Sequence, residues 1–381
     1  MFIFVVQSFV IMKIFVLTTV LFFNCFICFG ADYTKIDLQS RSLSENLKTI
    51  DGISNYLTQN LYTPQEKSRA IFYWITHNIK YNDDILNTSS NRFDRKKILE
   101  EVLRNRQGVC QHFAELFQAC CESVGVKSYV ISGYTHQEYQ LDSYSHAWNA
   151  IEIDDEFYLV DASWAATLVQ SKLDDNSLYN SYFLATPAVF IKTHMPFDPI
   201  WQFLNNPISN KEFVFHDYSK LKIKSYYNFG DSILILPSMG VLDKMIREEN
   251  RIIGCGVTNK LVQDRVLLNE KNIQLQSYNA AVDEFNKGVE IYNAYLDSKY
   301  KQFRNVKSDE NKIRNMLRTS MTQVEQSEKL LQELNPREKD IIKMMLNMQS
   351  AIKIQKKKLT KENDFVTRYF NTWEPIRILI D

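Results

Sequence analysis

The chain has 381 residues, 45% hydrophobic and 24% charged, with 45 Lys and Arg balanced against 45 Asp and Glu. This is globular material, enough for about two or three domains, and its charge balance excludes the one-sided positive excess that nucleic-acid binding requires. Of six cysteines, Cys25 and Cys28 lie in the apolar N-terminal run, and the remaining Cys110, Cys120, Cys121 and Cys255 are too few for a disulfide framework. With no Cys-x-x-Cys pair outside that run and no clustered histidines, neither a metal site nor a dissociable cofactor is expected.

Residues 1–30 are almost continuously apolar. Met12-Lys13 makes a short basic start, Ile14 to Phe23 an apolar centre, and Cys28-Phe29-Gly30 a small-residue site before Ala31. This reads as a cleaved signal peptide and a secreted or periplasmic protein, the alternative being an uncleaved membrane anchor. Residues 31–65 are a polar lead-in. A helix then starts with capping signals at Thr63-Pro64-Gln65-Glu66, carries Ala70, Ile71, Trp74 and Ile75, and ends near Tyr81-Asn82.

The informative stretch begins at Gly108-Val109-Cys110-Gln111-His112-Phe113-Ala114. Phe113, Ala114, Phe117, Cys121 and Val124 recur at helical spacing up to Gly125, so Cys110 is expected at a helix N-terminus, where unpaired N–H groups and the macrodipole favour a thiolate. Val126 to Gly133 reads as a strand and Tyr134 to Ser145 as a loop. His146 to Ile153 and Glu156 to Asp161 read as a hairpin turning at Asp154-Asp155, which makes His146 and Asp161 neighbours. Nucleophilic catalysis by a thiol needs a nearby base and a group that orients the base, and these three residues supply the set.

Gly108-x-Cys110-x-x-x-Ala114, Ser145-His146-Ala147-Trp148-Asn149 and Tyr158-Leu159-Val160-Asp161-Ala162-Ser163-Trp164 resemble the three motifs of the transglutaminase-like superfamily, whose fold is related to that of papain. The resemblance covers residues 60–170. It implies an α+β catalytic domain with Cys110 as nucleophile, His146 as general base and acid, and Asp161 orienting the imidazole. Acyl transfer at an amide through a thioester follows, ending on water or on an amine. Ala162 stands where proline often follows the aspartate, and His112 where a small or aromatic residue is usual. The family has a helix ahead of the nucleophile, and Tyr81 at its end is a candidate donor to the oxyanion beside the Cys110 N–H. His194, in a proline-rich turn outside the motifs, is a competing base candidate.

Trp164 to Ser177 looks polar and irregular. Phe213-Val214-Phe215, Leu221-Lys222-Ile223 and Ile233-Leu234-Ile235-Leu236 alternate as strands. From Val257 the character changes to long amphipathic helices with apolar seams: Leu275 to Phe303, Ile313 to Leu334, and Ile341 to Val366 after a break at Asn335-Pro336 with asparagine as cap. The expected organisation is a leader at 1–30, a catalytic domain at 31–190, a β-rich extension at 191–256 and a helical bundle or coiled coil at 257–372. An intramolecular antiparallel bundle is favoured over self-association or a protein partner through these helices.

Two functions follow. The first is an exported cysteine-dependent hydrolase or peptidase acting on a protein or peptide, in preference to a cross-linking transglutaminase. The second is a non-catalytic scaffold that keeps the fold and binds a partner through its helices.

Overall fold

A computed structural model describes residues 32–41, 47–87, 94–137, 139–173, 175–222, 229–302 and 309–372. The expected leader at 1–30 lies outside them. The chain divides into two compact units, residues 1–194 and 195–381.

The first unit opens with α1 (Thr34–Ser40) and α2 (Ile50–Leu57), so residues 31–65 are more than a polar lead-in. Ile53 and Leu57 of α2 are fully buried, and this apolar pair, one turn apart, supplies the helical signal in the lead-in. Next comes α3 (Pro64–Asn78), opened by a capping box in which the Thr63 hydroxyl accepts from the Glu66 N–H while the Glu66 carboxylate accepts from the Thr63 N–H. Strand β1 (Lys80–Tyr81), helix α4 (Arg95–Asn105) and strand β2 (Gln107–Gly108) lead into α5 (Cys110–Ser123).

Four strands of a five-stranded sheet then follow in the order β4-β3-β5-β6, each antiparallel to its neighbour: β3 (Ser128–Gln137), β4 (Gln140–Leu141), β5 (His146–Ile153) and β6 (Glu156–Val160). The β5–β6 hairpin turns on Asp154 and Asp155, both at positive φ (52° and 63°), the left-handed conformation a two-residue hairpin turn requires. Strand β3 runs on to Gln137 and pairs with β4 where a loop was expected, because Tyr134 and Thr135 are buried and keep the strand pattern going. Helix α5 lies across β5 and β3. Its Phe113, Leu116, Phe117, Cys120 and Cys121 join Phe72, Trp74 and Ile75 of α3 in the core.

The stretch expected to be irregular after Trp164 is helical. Helix α6 (Ala162–Ser171) is capped by Asp161 and α7 (Asn176–Ser181) by Asp175, with α8 (Pro187–Phe190) beyond. Ala162, Ala165 and Ala166 bury a small-residue face against α3, and apolar residues this small give a weak hydrophobic pattern.

The expectation of a β-rich extension at 191–256, most of which lies in the second unit, does not hold. Its described residues contain one three-residue strand, β7 (His194–Pro196). The described parts of the supposed strands fall mostly in α9 (Asn210–Val214), a 3-10 turn at Ser219–Lys222 and α10 (Phe229–Ile235), with Ile223 outside the described residues; α11 (Val241–Cys255) follows. Ser209 and Glu212 form a capping box that starts α9, and alternation over three residues is too short to separate a strand from one turn of helix.

Three long helices complete the unit: α12 (Lys260–Gln302), α13 (Glu310–Gln332) and α14 (Lys339–Asn371). Ser320 and Ser327 of α13 donate to the carbonyls of Gly288 (2.6 Å) and Ala281 (2.7 Å) on α12, so the two run antiparallel. Lys356 to Glu328 and Arg314 to Thr367 likewise set α14 antiparallel to α13. Val324, Leu331, Ile352, Leu359 and Val366 fill the shared core. Helix α14 starts at Lys339 with Glu338 as its cap residue, so Asn335-Pro336 sits in the connection and not at the cap. No helix among the described residues is long and apolar enough to cross a membrane.

Candidate active site

Cys110 is the first residue of α5, where backbone N–H groups lack intrahelical acceptors. Valine at the preceding position has no polar side chain to cap them. The Val109 N–H instead donates to His112 Nδ1 at 3.2 Å, so the residue that departs from the family pattern fastens the turn ahead of the nucleophile. Gly108 leaves room for this, since a Cβ there would lie 2.8 Å from His112 Cβ. The same turn is tied to β1: the Lys80 N–H donates to the Arg106 carbonyl (2.8 Å) and the Asn82 N–H to the Gly108 carbonyl (3.0 Å). From the sheet side, buried Asn149 of β5 donates Nδ2–H to the Ala114 carbonyl at 2.9 Å, fixing the first turn of α5 against the strand that starts with His146.

His146 is 8% exposed and donates Nε2–H to Asp161 Oδ2 at 2.7 Å. Its remaining nitrogen, Nδ1, is not engaged by Asp161, and Cys110 lies close enough to this imidazole to act on its pKa. Burial alone would push the His146 pKa down. The Asp161 charge and hydrogen bond, with Cys110 adding to them, outweigh burial and raise it to about 10.

Asp161 is fully buried and ends β6 as the cap of α6. Its Oδ1 accepts from Ser163 N–H (2.9 Å), Ser163 Oγ–H (2.7 Å) and Trp164 N–H (3.0 Å). Burial disfavours the carboxylate, but the charge and donors of the two histidines hold its pKa well below the ordinary range. Asp161 therefore stays ionised as both helix cap and partner of His146.

Tyr81 lies across the turn from Cys110, with its ring 6.1 Å from Phe113. Burial first, then Cys110 and Asp83, push its pKa up, so the phenol remains a donor. The Asp83 side chain is near enough to act on this hydroxyl, and so competes with the expected role at the oxyanion.

His194, read from sequence as a rival base, is not a rival for the thiol. It is fully buried with its Nε2–H on the same Asp161 Oδ2, at 3.2 Å, and its ring is stacked on Phe190 at 3.9 Å. The expectation of no clustered histidines therefore fails in space: His146, Asp161 and His194 bring three ligand-type atoms within 4.8 Å. Those atoms already satisfy one another by hydrogen bonds. The other thiols are set apart from Cys110. Burial raises the pKa of Cys120 to about 12, that of Cys255 to about 11 and that of Cys121 well above its usual value.

Residues 51–165 match the sequence profile of the transglutaminase-like superfamily, and this part of the chain is a transglutaminase-like domain. Human kyphoscoliosis peptidase is 32% identical over 207 residues, covering 52% of this chain and 30% of that protein. Cytokinesis protein 3 of Schizosaccharomyces pombe is 29% identical over 187 residues, covering 47% of this chain and 20% of that protein. The matched region thus spans less than a third of either relative's length. Among solved structures, a candidate cysteine protease from Cytophaga hutchinsonii aligns with a TM-score of 0.26 at 19% identity, covering 36% of this chain and 44% of that chain.

Proposed function

We propose that the chain is a cysteine-dependent acyl-transfer enzyme that hydrolyses an amide bond in a protein or peptide. The observation that carries this reading is the 2.7 Å bond from His146 Nε2 to buried Asp161, with Cys110 near enough to the same imidazole to help raise its pKa. In the first step His146 takes the thiol proton and the sulfur attacks the amide carbon. The carbonyl electron pair moves onto oxygen, beside the Cys110 N–H. The imidazolium then protonates the leaving nitrogen, the C–N bond breaks, and a thioester remains on Cys110. Water enters, gives a proton to His146 and attacks the thioester. The C–S bond breaks, the acid leaves, and the proton returns to sulfur.

The name of the human relative, a peptidase, supports hydrolysis over cross-linking as the outcome. Export through residues 1–30 belongs to the same proposal and rests on the apolar pattern of that run. A scaffold role gives no reason to keep a buried ionised carboxylate on an imidazole beside a thiol, since burying such a group is costly unless it is fully paired.

The test is a peptide library read by mass spectrometry, with an acyl probe to trap the thioester. Wild type is expected to cleave and to carry the acyl group on Cys110, while folded Cys110→Ala does neither. Cleavage by Cys110→Ala would sink the reading.

A further inference from the structure

We propose that His194 is a positioning residue for this site. By donating to Asp161 Oδ2 it divides that oxygen between two imidazoles and limits how firmly the carboxylate holds the His146 imidazolium proton. The inference rests on the acyl-transfer reading and adds a fourth residue to it.

The two carboxylate oxygens have separate duties. Oδ1 is taken by three donors from the first turn of α6, so the carboxylate plane is fixed without help from His194. Among the described residues Oδ2 receives only the two ring N–H groups, at 2.7 Å from His146 and 3.2 Å from His194. Whatever His194 contributes therefore falls on the oxygen that faces the catalytic imidazole. An acceptor shared between two donors holds each less strongly than it would hold one alone.

The tautomer of His194 is set on its far side. Nδ1 lies 2.8 Å from Thr193 Oγ1, whose alternative acceptor, the Phe190 carbonyl, is farther away at 3.4 Å. The hydroxyl donates to Nδ1, and the ring proton sits on Nε2, pointing at Asp161. Asp161, His146 and His136 are the titratable groups acting on His194, and burial, the largest influence, lowers its pKa to about 4. At neutral pH it gives a hydrogen bond without placing a second positive charge beside the imidazolium. This matters because His146 must release its proton to the leaving amine. A general acid held too tightly by its partner is a poor one, and Asp161 already raises this imidazole to about 10.

The experiment follows ring nitrogens by NMR in full-length protein labelled with 15N-histidine, the His146 signals being assigned with His146→Ala. His194→Phe keeps an aromatic ring on Phe190 but has no donor, and His194→Gln keeps a donor. The His146 pKa is expected to rise by about half a unit to one unit in His194→Phe and to stay at the wild-type value in His194→Gln. In wild type, His194 should show the neutral Nε2–H tautomer from about pH 5.5 to 9. This last measurement needs no variant and stands even if His194→Phe does not fold. An unmoved or lowered His146 pKa in His194→Phe, equal shifts in both variants, or a charged or Nδ1–H His194 at neutral pH would overturn the proposal alone. If the His146 pKa ignores both Cys110→Ala and Asp161→Asn, the acyl-transfer reading fails and takes the proposal with it.

Discussion

Asn149 and Ala114 join the two halves of the site: the Asn149 side chain, fully buried on β5, donates to the Ala114 carbonyl of α5 at 2.9 Å, across 35 residues of sequence. His146 begins the strand that carries one and Cys110 begins the helix that carries the other. The distance between thiol and imidazole thus depends on a hydrogen bond that neither of them makes.

Asn149→Leu should therefore loosen the pair without touching it. The substitution removes the buried donor and leaves the Ala114 carbonyl to its helical partner alone. Stability should fall by about 1–3 kcal/mol, read by urea unfolding, and Cys110 alkylation at pH 7 should slow while Cys120 and Cys121 stay unreactive. An alkylation rate equal to wild type in a destabilised variant would show that the helix position does not depend on this bond.

Asp161→Asn separates the two duties of the aspartate. Asparagine can still accept at the α6 cap, so the fold should survive, whereas the charge that raises the His146 pKa is gone. With His146 neutral at pH 7 the thiolate loses its counter-charge, and Cys110 alkylation should slow by about tenfold or more. Asp161→Ala should behave differently, losing the cap and stranding two buried ring N–H groups, at a cost of about 3 kcal/mol or more. Equal stability for the two variants would refute the split assignment of Oδ1 and Oδ2.

Stability should fall on the acid side of neutrality because of His194. Its folded pKa, lowered to about 4, lies below its ordinary value. The neutral form is favoured in the fold, so this contribution is complete above about pH 6.5 and is lost as pH falls toward 4. From 6.5 to about 4 the loss is on the order of 3 kcal/mol. His146 has the opposite sign, since its raised pKa stabilises the fold at low pH and is lost only as pH climbs toward 10. Urea unfolding at pH 7, 5.5 and 4.5 should show the acid loss in wild type and a shallower one in His194→Gln. Parallel curves would remove His194 as its source.

The neighbourhood of Cys110, His146 and Asp161 was legible because strong local signals agree. Apolar residues at helical spacing follow Cys110, and a two-residue Asp-Asp turn closes the hairpin that carries the other two. The partner on the far side of Asp161 was not. His194 lies 33 residues beyond Asp161 in a segment with no periodicity, and only the fold brings its ring to the carboxylate. Residues 213–236 misled for a related reason: short apolar runs serve a strand or one helical turn equally well, and the capping box at Ser209 decides for helix at the first of them. The long helices were legible because a seam repeated over many turns has one interpretation.

Gly288 gives a test confined to the second unit. A Cβ at this position would stand 2.8 Å from Val324 Cγ2 and 3.0 Å from the Ser320 backbone carbonyl, the same carbonyl-rich contact where Ser320 donates across to Gly288. Val324 is fully buried and the Ser320 carbonyl belongs to a helix, so neither can give way cheaply. Gly288→Ala gains helix propensity worth about 1 kcal/mol, yet the overpacking should cost about 1–3 kcal/mol and outweigh it. Helical CD should melt earlier, while Cys110 alkylation in the first unit keeps its wild-type rate. A variant that melts later would mean that α12 and α13 can move apart at this point, and that their close approach is not held by the Ser320 and Ser327 bonds.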